Sequence, residues 1–282
     1  MENLVSTQSP VRSRVATLVV VGPASRLADV AETLGSEDES GALHIVRIAI
    51  DGSAVGTSET QPDIVNISSL RGDYVNNAIA AVRLSSLPTI VWWRGGRPEA
   101  LDGVASLADR VVLDTDDPWP LWSRMPPLFE QTALTDIRWA RLTRWRAALA
   151  HFFDLPPVQQ IAGSFSRLSI AAGDAADAAL FAGWLDASFG WRGKIAPEFT
   201  DSGQGAPMES VTLESESCRL ELRLLPHSTC ISTDCHVGSE EVASRVVSLG
   251  NQTLATLLAE DLRVRSRDIA FEQAVQSALR GR

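Results

Sequence analysis

Hydrophobic residues in the first 113 positions of the chain occur in short runs that polar segments separate. Residues 15–21 form a continuous, β-branched run, which is typical of a strand buried on both faces of a sheet. Four more strand-length runs follow, and helix-length segments lie between several of them. The predicted strands are 15–21, 43–50, 64–67, 89–93 and 110–113, and the predicted helices are 25–34, 74–84 and 99–107. This alternation predicts an α/β fold with a mostly parallel sheet flanked by helices.

The pattern changes after Asp114, where proline becomes frequent. Residues 116–127 contain four prolines and are predicted to be a linker. A long helix rich in tryptophan and arginine is predicted over about 135–154, because its apolar residues recur at helical spacing. The Pro156-Pro157 pair is expected to end it.

Strands and helices are mixed in the rest of the chain. Alternating apolar and polar residues over 218–224 indicate an antiparallel sheet with one solvated face. The predicted strands here are 167–171, 211–213, 219–225 and 229–234, and the predicted helices are 174–189, 252–263 and 268–279. We therefore predict a loose N-terminal arm over 1–14, an α/β domain over 15–127, and an α+β C-terminal domain over 128–282. The last begins with the long Trp/Arg helix and contains a mixed or antiparallel sheet.

Composition narrows the classes of partner. The 282 residues carry a formal net charge of −10. A field of this sign repels nucleic-acid backbones and anionic membranes, so neither is expected as a partner. No stretch reaches the roughly 18 apolar residues that a membrane span needs. Three cysteines are too few for a disulfide framework, which fits a reducing compartment, and we expect a cytoplasmic protein.

Motifs for catalysis and cofactor binding are missing from the sequence. The turn after the first strand offers a single glycine, Gly22, where a dinucleotide fingerprint needs several. Gly193-Lys194 lacks the leading glycine and the following Ser/Thr of a phosphate-binding loop. Neither a zinc-binding helix motif nor a nucleophile elbow is present. The sequence therefore predicts no catalytic residue, no metal site and no cofactor.

Two small groups of polar residues leave alternatives open. Cys230 and Cys235 are interpreted as inert packing residues or as a redox-sensitive thiol pair, with metal binding as a further alternative. Asp114, Asp116 and Asp117 follow a predicted strand, at the end of the sheet where α/β proteins bind ligands. They either hold a divalent cation or cap the turn that follows.

Tryptophan is unusually frequent, with eight against one tyrosine. The pair Trp92-Trp93 ends a predicted strand and opens into an Arg/Gly loop, and the long helix repeats the combination of tryptophan with arginine. These two residue types are enriched at protein–protein hot spots. Docking between domains of this chain is the alternative to an external interface. The candidate partner contacts are Trp92, Trp93, Arg94, Arg97, Arg138, Trp139, Arg141 and Arg144.

Several of these segments resemble one protein family. Residues 87–93 with the loop behind them, the strand and aspartate of 110–114, and the helix 138–146 ending at 151–154 are similar to the OpcA family. The segments 183–185 and 257–262, with Asp268, resemble its C-terminal domain. Proteins of this family are described as assembly factors or activators of glucose-6-phosphate dehydrogenase.

The resemblance implies a non-catalytic protein that binds glucose-6-phosphate dehydrogenase and favours its active oligomer, in support of the oxidative pentose phosphate pathway. The family provides no residue-level site to transfer. The alternative is an α/β enzyme, or a sensor of a phosphosugar or nucleotide, that uses Asp114, Asp116 and Asp117.

Overall fold

The computed structural model describes residues 15–35, 43–50, 64–67, 71–84, 86–203, 206–264 and 266–282. The N-terminal arm over 1–14 and the loop over 51–62 lie outside the described residues. The chain divides into two compact units, residues 1–109 and residues 110–282. The domain boundary between 127 and 128 stays a prediction.

The described part of unit 1 contains four parallel strands. They are β1 (Ala16–Gly22), β2 (Leu43–Ala49), β3 (Ile64–Ile67) and β4 (Thr89–Trp93), in the spatial order β3-β2-β1-β4. The helices are α1 (Val30–Gly35), α2 (Val75–Val82) and α3 (Leu101–Ala105). Every residue of β1 is buried, as its unbroken apolar run predicts. The strand order reverses between β1 and β4, which is where open α/β sheets bind their ligands.

Unit 2 begins with a second α/β segment. Strand β5 (Arg110–Leu113) pairs in parallel with β6 (Ala133–Asp136), and α4 (Trp119–Trp122) lies between them in sequence. The linker prediction for 116–127 is therefore wrong. Apolar side chains anchor this segment in the core, because Trp122 and Met125 are both fully buried. Its prolines lie at the N-cap or in the first turn of short helices, where a missing backbone N–H costs nothing.

The predicted long helix is divided in two. Residues 133–136 form β6, so α5 (Ile137–Arg141) begins only afterwards, and α6 (Thr143–Ala150) follows a junction at Leu142. Pro156 and Pro157 do not simply end a helix. They occupy the first turn of α7 (Pro156–Ile161), a position that proline tolerates.

A mixed six-stranded sheet completes unit 2. It comprises β7 (Arg167–Ala172), β8 (Glu198–Asp201), β9 (Ser210–Glu214), β10 (Cys218–Leu224), β11 (Cys230–Val237) and β12 (Glu240–Ser248). Their order is β12-β11-β10-β9-β7-β8, and the β7–β8 pair is parallel while the other pairs are antiparallel. The helices are α8 (Ala175–Phe189), α9 (Leu254–Arg263) and α10 (Ile269–Arg280). The structure thus confirms the α/β class, with a parallel N-terminal sheet and a mixed C-terminal sheet.

Within the described residues, no helix combines the length and the apolar character that crossing a bilayer requires.

Candidate functional site

Trp92 and Trp93 lie inside unit 1. Adjacent residues of a strand face opposite sides of the sheet, and both indoles are fully buried, so both faces are covered. Trp93 packs directly beneath Gly96, where a β carbon would clash with the indole ring. Glycine at position 96 thus lets the loop close over the ring. This burial does not fit the expectation that the two tryptophans form an exposed contact surface. Exposure therefore gives no support to their predicted role in partner binding.

Arg94 directly follows β4, and its side chain is buried. Its guanidinium pairs with the carboxylate of Asp29, donates to the carbonyl of Arg26, and lies 4.5 Å from the centre of the Trp92 ring. Only 5% of the Arg94 side chain is exposed, so it is a structural cation rather than a surface contact. A buried guanidinium requires such a counter-ion, because an unpaired charge in the interior is costly.

The turn after β1 lacks the backbone donors of a phosphate-binding turn. Pro23 follows Gly22 and has no backbone N–H to donate to a phosphate. A β carbon at Gly95 would lie 2.8 Å from Cδ of Pro23, so the loops after β1 and β4 are in direct contact.

Arg97, in the loop after Arg94, is exposed. It forms a surface ion pair with Asp73, and 67% and 58% of the two side chains are accessible. Exposed pairs of this kind contribute about 0–1 kcal/mol, so Arg97 remains available to a partner.

Arg138, at the start of α5, is held by two carboxylates and two carbonyls. Its guanidinium pairs with Asp174 at 3.1 Å and Asp136 at 3.4 Å, and it donates to the carbonyls of Thr115 and Asp116. Burial raises the pKa of Asp136 although Arg138 opposes the shift, and Asp136 also accepts a bond from the indole of Trp122. With 6% of its side chain exposed, Arg138 is part of the interior. Its predicted role as a partner contact therefore gains no support from exposure.

Arg141 reaches back to α8. Its guanidinium donates to Asp177 at 2.7 Å, and 27% of the Arg141 side chain is exposed. Burial raises the pKa of Asp177 to about 7, while Arg141 acts in the opposite direction. The second carboxylate oxygen of Asp177 is buried and has no partner among the described residues. Asp177 is therefore a buried acid whose protonation changes near neutral pH.

Trp139 is buried in α5. The two arginines of α6, Arg144 and Arg146, have different contacts from the two arginines of α5. The Trp139 indole donates to Asp268 at 2.7 Å, and the guanidinium of Arg146 stacks on its ring at 3.3 Å from the centre. Arg146 also donates to the Trp139 carbonyl and the Thr143 hydroxyl. No carboxylate of the described chain forms an ion pair with Arg146. Arg144 is exposed and makes no hydrogen bond or ion pair with any residue that the structure describes.

The aspartates after β5 act locally. A carboxylate oxygen of Asp117 accepts from the backbone N–H of Trp119 at 3.2 Å, which caps the turn that leads into α4. Asp114 is 8% exposed, and the carbonyl of Asp116 binds Arg138. Across the described ranges, no cluster of three His, Cys, Asp or Glu side chains is placed to hold a metal ion. The geometry favours the capping interpretation of this group.

Cys230 and Cys235 do not form a pair. They lie five positions apart on β11, so their side chains point to opposite faces of the sheet. Cys235 instead hydrogen-bonds Cys218 of the adjacent strand β10. Burial, together with Cys235, raises the pKa of Cys218 to about 11, which keeps the thiol protonated and unreactive.

One buried ion pair was not predicted. Arg110, at the start of β5, contacts both carboxylate oxygens of Asp261 in α9 at 3.0 Å, and each side chain is 5% exposed. Burial raises the pKa of Asp261 despite this arginine. An arginine at the start of an apolar strand is the available signal in the sequence, but its partner is 151 positions away.

Comparison with solved structures shows the fold alone. KijD10, a 3-ketoreductase from Actinomadura kijaniata solved with NADP and TDP-benzene, aligns with a TM-score of 0.58 and 10% identity over 94% of this chain and 95% of that one. An aldose-aldose oxidoreductase from Caulobacter crescentus gives a TM-score of 0.52 and 8% identity over 95% and 97%. The NADP in this comparison is a ligand of KijD10. The turn after β1 does not fit a dinucleotide fingerprint, because it has the single glycine Gly22 followed by Pro23, which has no backbone N–H.

Comparison of sequences identifies the family. A protein of Synechococcus elongatus named as the OxPP cycle protein OpcA is 28% identical over 127 residues, which make up 42% of this chain and 28% of that protein. The chain thus matches less than a third of the length of this relative. The family described as the C-terminal domain of a glucose-6-phosphate dehydrogenase subunit matches residues 132–275, from the residue before β6 into α10. Since this match extends over just over half of the chain and includes the Trp/Arg segment, the protein belongs to the OpcA family.

Proposed function

We propose that this protein is a non-catalytic assembly factor or allosteric activator that binds glucose-6-phosphate dehydrogenase and favours its active oligomer. It would thereby support the oxidative pentose phosphate pathway. The family match over residues 132–275 is the observation that carries the proposal. The buried Arg94 supports it, because this side chain directly follows β4, at the end of the sheet where this kind of fold binds its ligands, and is already paired with Asp29.

The mechanism needs only differential affinity. A protein that binds the active oligomer more tightly than the inactive form shifts the equilibrium toward it. A coupling free energy of about 1–3 kcal/mol changes the equilibrium constant by roughly 5- to 150-fold. Among the predicted contacts, Arg97 and Arg144 are exposed and Arg141 is half-buried, so these three are the proposed contacts.

The test is a titration of purified glucose-6-phosphate dehydrogenase from the same organism with this protein, at several substrate concentrations. Saturable activation together with co-elution from a sizing column is the expected result. The substrate series separates an effect on KM from an effect on kcat. If the two proteins neither co-elute nor change the activity, the proposal is wrong.

An enzyme or a metabolite sensor would behave differently in a thermal unfolding experiment. A phosphosugar or nucleotide that binds the folded chain raises its midpoint with ligand concentration. We expect no such shift from these ligands and a clear shift from the dehydrogenase. A shift with a phosphosugar or nucleotide, and none with the dehydrogenase, would favour the enzyme or sensor that uses Asp114, Asp116 and Asp117.

A further inference from the structure

We infer that the exposed face of α6 is a docking surface for an acidic, carboxylate-bearing segment of the partner protein. This face, called the α6 face below, consists of Thr143, Arg144, Ala147 and Ala150 with Arg146 at its border. The inference rests on the proposed function and assigns that function a surface.

The first observation is a difference in how the arginines of this segment are neutralised. Arg138 has Asp136 and Asp174 as counter-ions, and Arg141 has Asp177. Arg146 forms no direct ion pair with the described chain; burial lowers its pKa to about 10, while the charge of Asp268 acts in the opposite direction. Its Nε is buried and has no hydrogen-bond partner among the described residues. The direct contacts of its guanidinium are a ring face and two neutral oxygens, because Asp268 accepts its hydrogen bond from the Trp139 indole and lies beyond ion-pair distance of Arg146. Arg138 and Arg141, by contrast, each contact a carboxylate directly.

The second observation is the shape of the helix between the two arginines. Thr143, Ala147 and Ala150 recur at intervals of four and three residues, so they form one stripe along α6, and all three are exposed. At 100° per residue, Arg144 lies on one side of this stripe and Arg146 on the other. Small side chains let a second backbone approach closely, and each guanidinium then reaches a carboxylate from its own side.

The third observation is the sign of the charge. The chain has a formal net charge of −10, yet this helix presents an exposed arginine that no described carboxylate neutralises. An exposed arginine without a described counter-ion is complementary to an acidic partner segment and repels a basic one. An acidic segment would provide a carboxylate for Arg144 and for Arg146, whereas an apolar partner would bury both guanidinium groups without a counter-ion.

The experiment measures the affinity of the full chain for purified glucose-6-phosphate dehydrogenase at low and moderate salt. Arg144→Glu is expected to weaken binding about tenfold or more and to reduce its dependence on salt, because a favourable ion pair becomes a repulsive one. Ala147→Glu tests the stripe without removing an arginine, and glutamate keeps the helix propensity high. It is expected to weaken binding to a similar extent.

Arg83→Glu is the matched control. Arg83 is an exposed arginine that follows α2 in unit 1, and its side chain forms no ion pair with the described residues. The substitution changes the net charge by the same amount at a different surface, and less than a twofold change in affinity is expected. Circular dichroism and the unfolding midpoint establish that all three variants fold.

The outcomes separate the surface from the function. If the unmodified protein does not bind the dehydrogenase, the proposed function fails. If it binds, and folded Arg144→Glu and Ala147→Glu bind equally well, the α6 face is not the docking surface. If these substitutions abolish self-association but leave dehydrogenase binding unchanged, the face joins two copies of this chain and the inference is wrong.

Discussion

Two clusters of tryptophan and arginine, one in each unit, have the same composition and different surroundings. In unit 1, Arg94 lies against Trp92 and forms an ion pair with Asp29. In unit 2, Arg146 lies against Trp139, but its guanidinium hydrogen-bonds neutral oxygens only and has Asp268 beyond ion-pair distance, and Arg144 nearby is exposed. The difference shows that tryptophan next to arginine does not by itself indicate an interface. Whether such an arginine is structural or available to a partner depends on whether the fold places a carboxylate in contact with its guanidinium.

The largest expected effect tests the closed cluster. Trp93→Ala should lower the free energy of unfolding by about 3–5 kcal/mol, because a fully buried indole leaves a cavity beneath Gly96. Denaturant unfolding of the full chain measures it. Trp93→Phe is the control and should cost much less, since the indole N–H has no partner among the described residues. A folded, equally stable Trp93→Ala protein that no longer binds the dehydrogenase would place Trp93 at an interface after all.

The next effect tests the fully neutralised arginine of α5. Arg138→Ala should destabilise the protein by about 3 kcal/mol or more, since the buried Asp136 loses its counter-ion. The same denaturant titration measures the loss. Adding Asp136→Asn to this variant removes the stranded charge, so the double variant should recover part of the stability. Equal stability of Arg138→Ala and the unmodified protein would contradict the structural role given to this residue.

A pH effect follows from the burial of Asp177, which raises its pKa although Arg141 acts in the opposite direction. The pKa of Asp177 is raised from an ordinary value near 3.8 to about 7 in the folded state, so the folded protein binds a proton that the unfolded chain has released. Between about pH 4 and pH 7 this residue therefore makes stability fall as pH rises, by about 1 kcal/mol per pH unit. Below pH 4 its contribution is fully present. Asp177→Asn should remove this slope, measured as the difference between the unfolding free energies of the two proteins across that range; identical pH profiles would contradict the shift.

The smallest expected effect tests the open cluster. Arg144→Ala should change the free energy of unfolding by less than about 0.5 kcal/mol, because the side chain is exposed and contacts no described partner. Thermal and denaturant unfolding both measure it. Together with the loss of binding expected for Arg144→Glu, this result separates a contact residue from a structural one. A destabilisation comparable with that of Arg138→Ala would show that the two clusters do not differ.

Burial made β4 and β5 easy to predict. Their residues match the predicted ranges, because buried strands of parallel sheets are continuous apolar runs with clear ends. The residues of β3 also match the predicted range, although Val65 and Asn66 are exposed. The sheet edges of unit 2 lack that signal. All four residues of β8 are exposed and β12 is exposed along most of its length, so neither shows the apolar alternation that would identify it.

The candidate site was predictable in composition but not in pairing. The arginines of α5 and α6 are visible in the sequence, and so is their need for carboxylates or a partner. Asp174 and Asp177, which neutralise Arg138 and Arg141, are 36 residues away in each case. Only the packing of α8 against α5 decides which arginine is neutralised. The misassigned cysteine pair has the same origin, since Cys235 meets Cys218 across a strand pair rather than along the chain.

The ion pair of Arg94 with Asp29 also affects how the amount of folded protein is controlled. A fold that depends on a bound nucleotide gains stability as the nucleotide concentration rises and loses it as the concentration falls. In unit 1 the side chain at the end of β4 has a carboxylate of the same chain as its counter-ion, and this counter-ion cannot be depleted. Neutralisation of Arg94 therefore requires no ligand from outside the chain, and the stability that this ion pair contributes does not vary with the concentration of such a ligand.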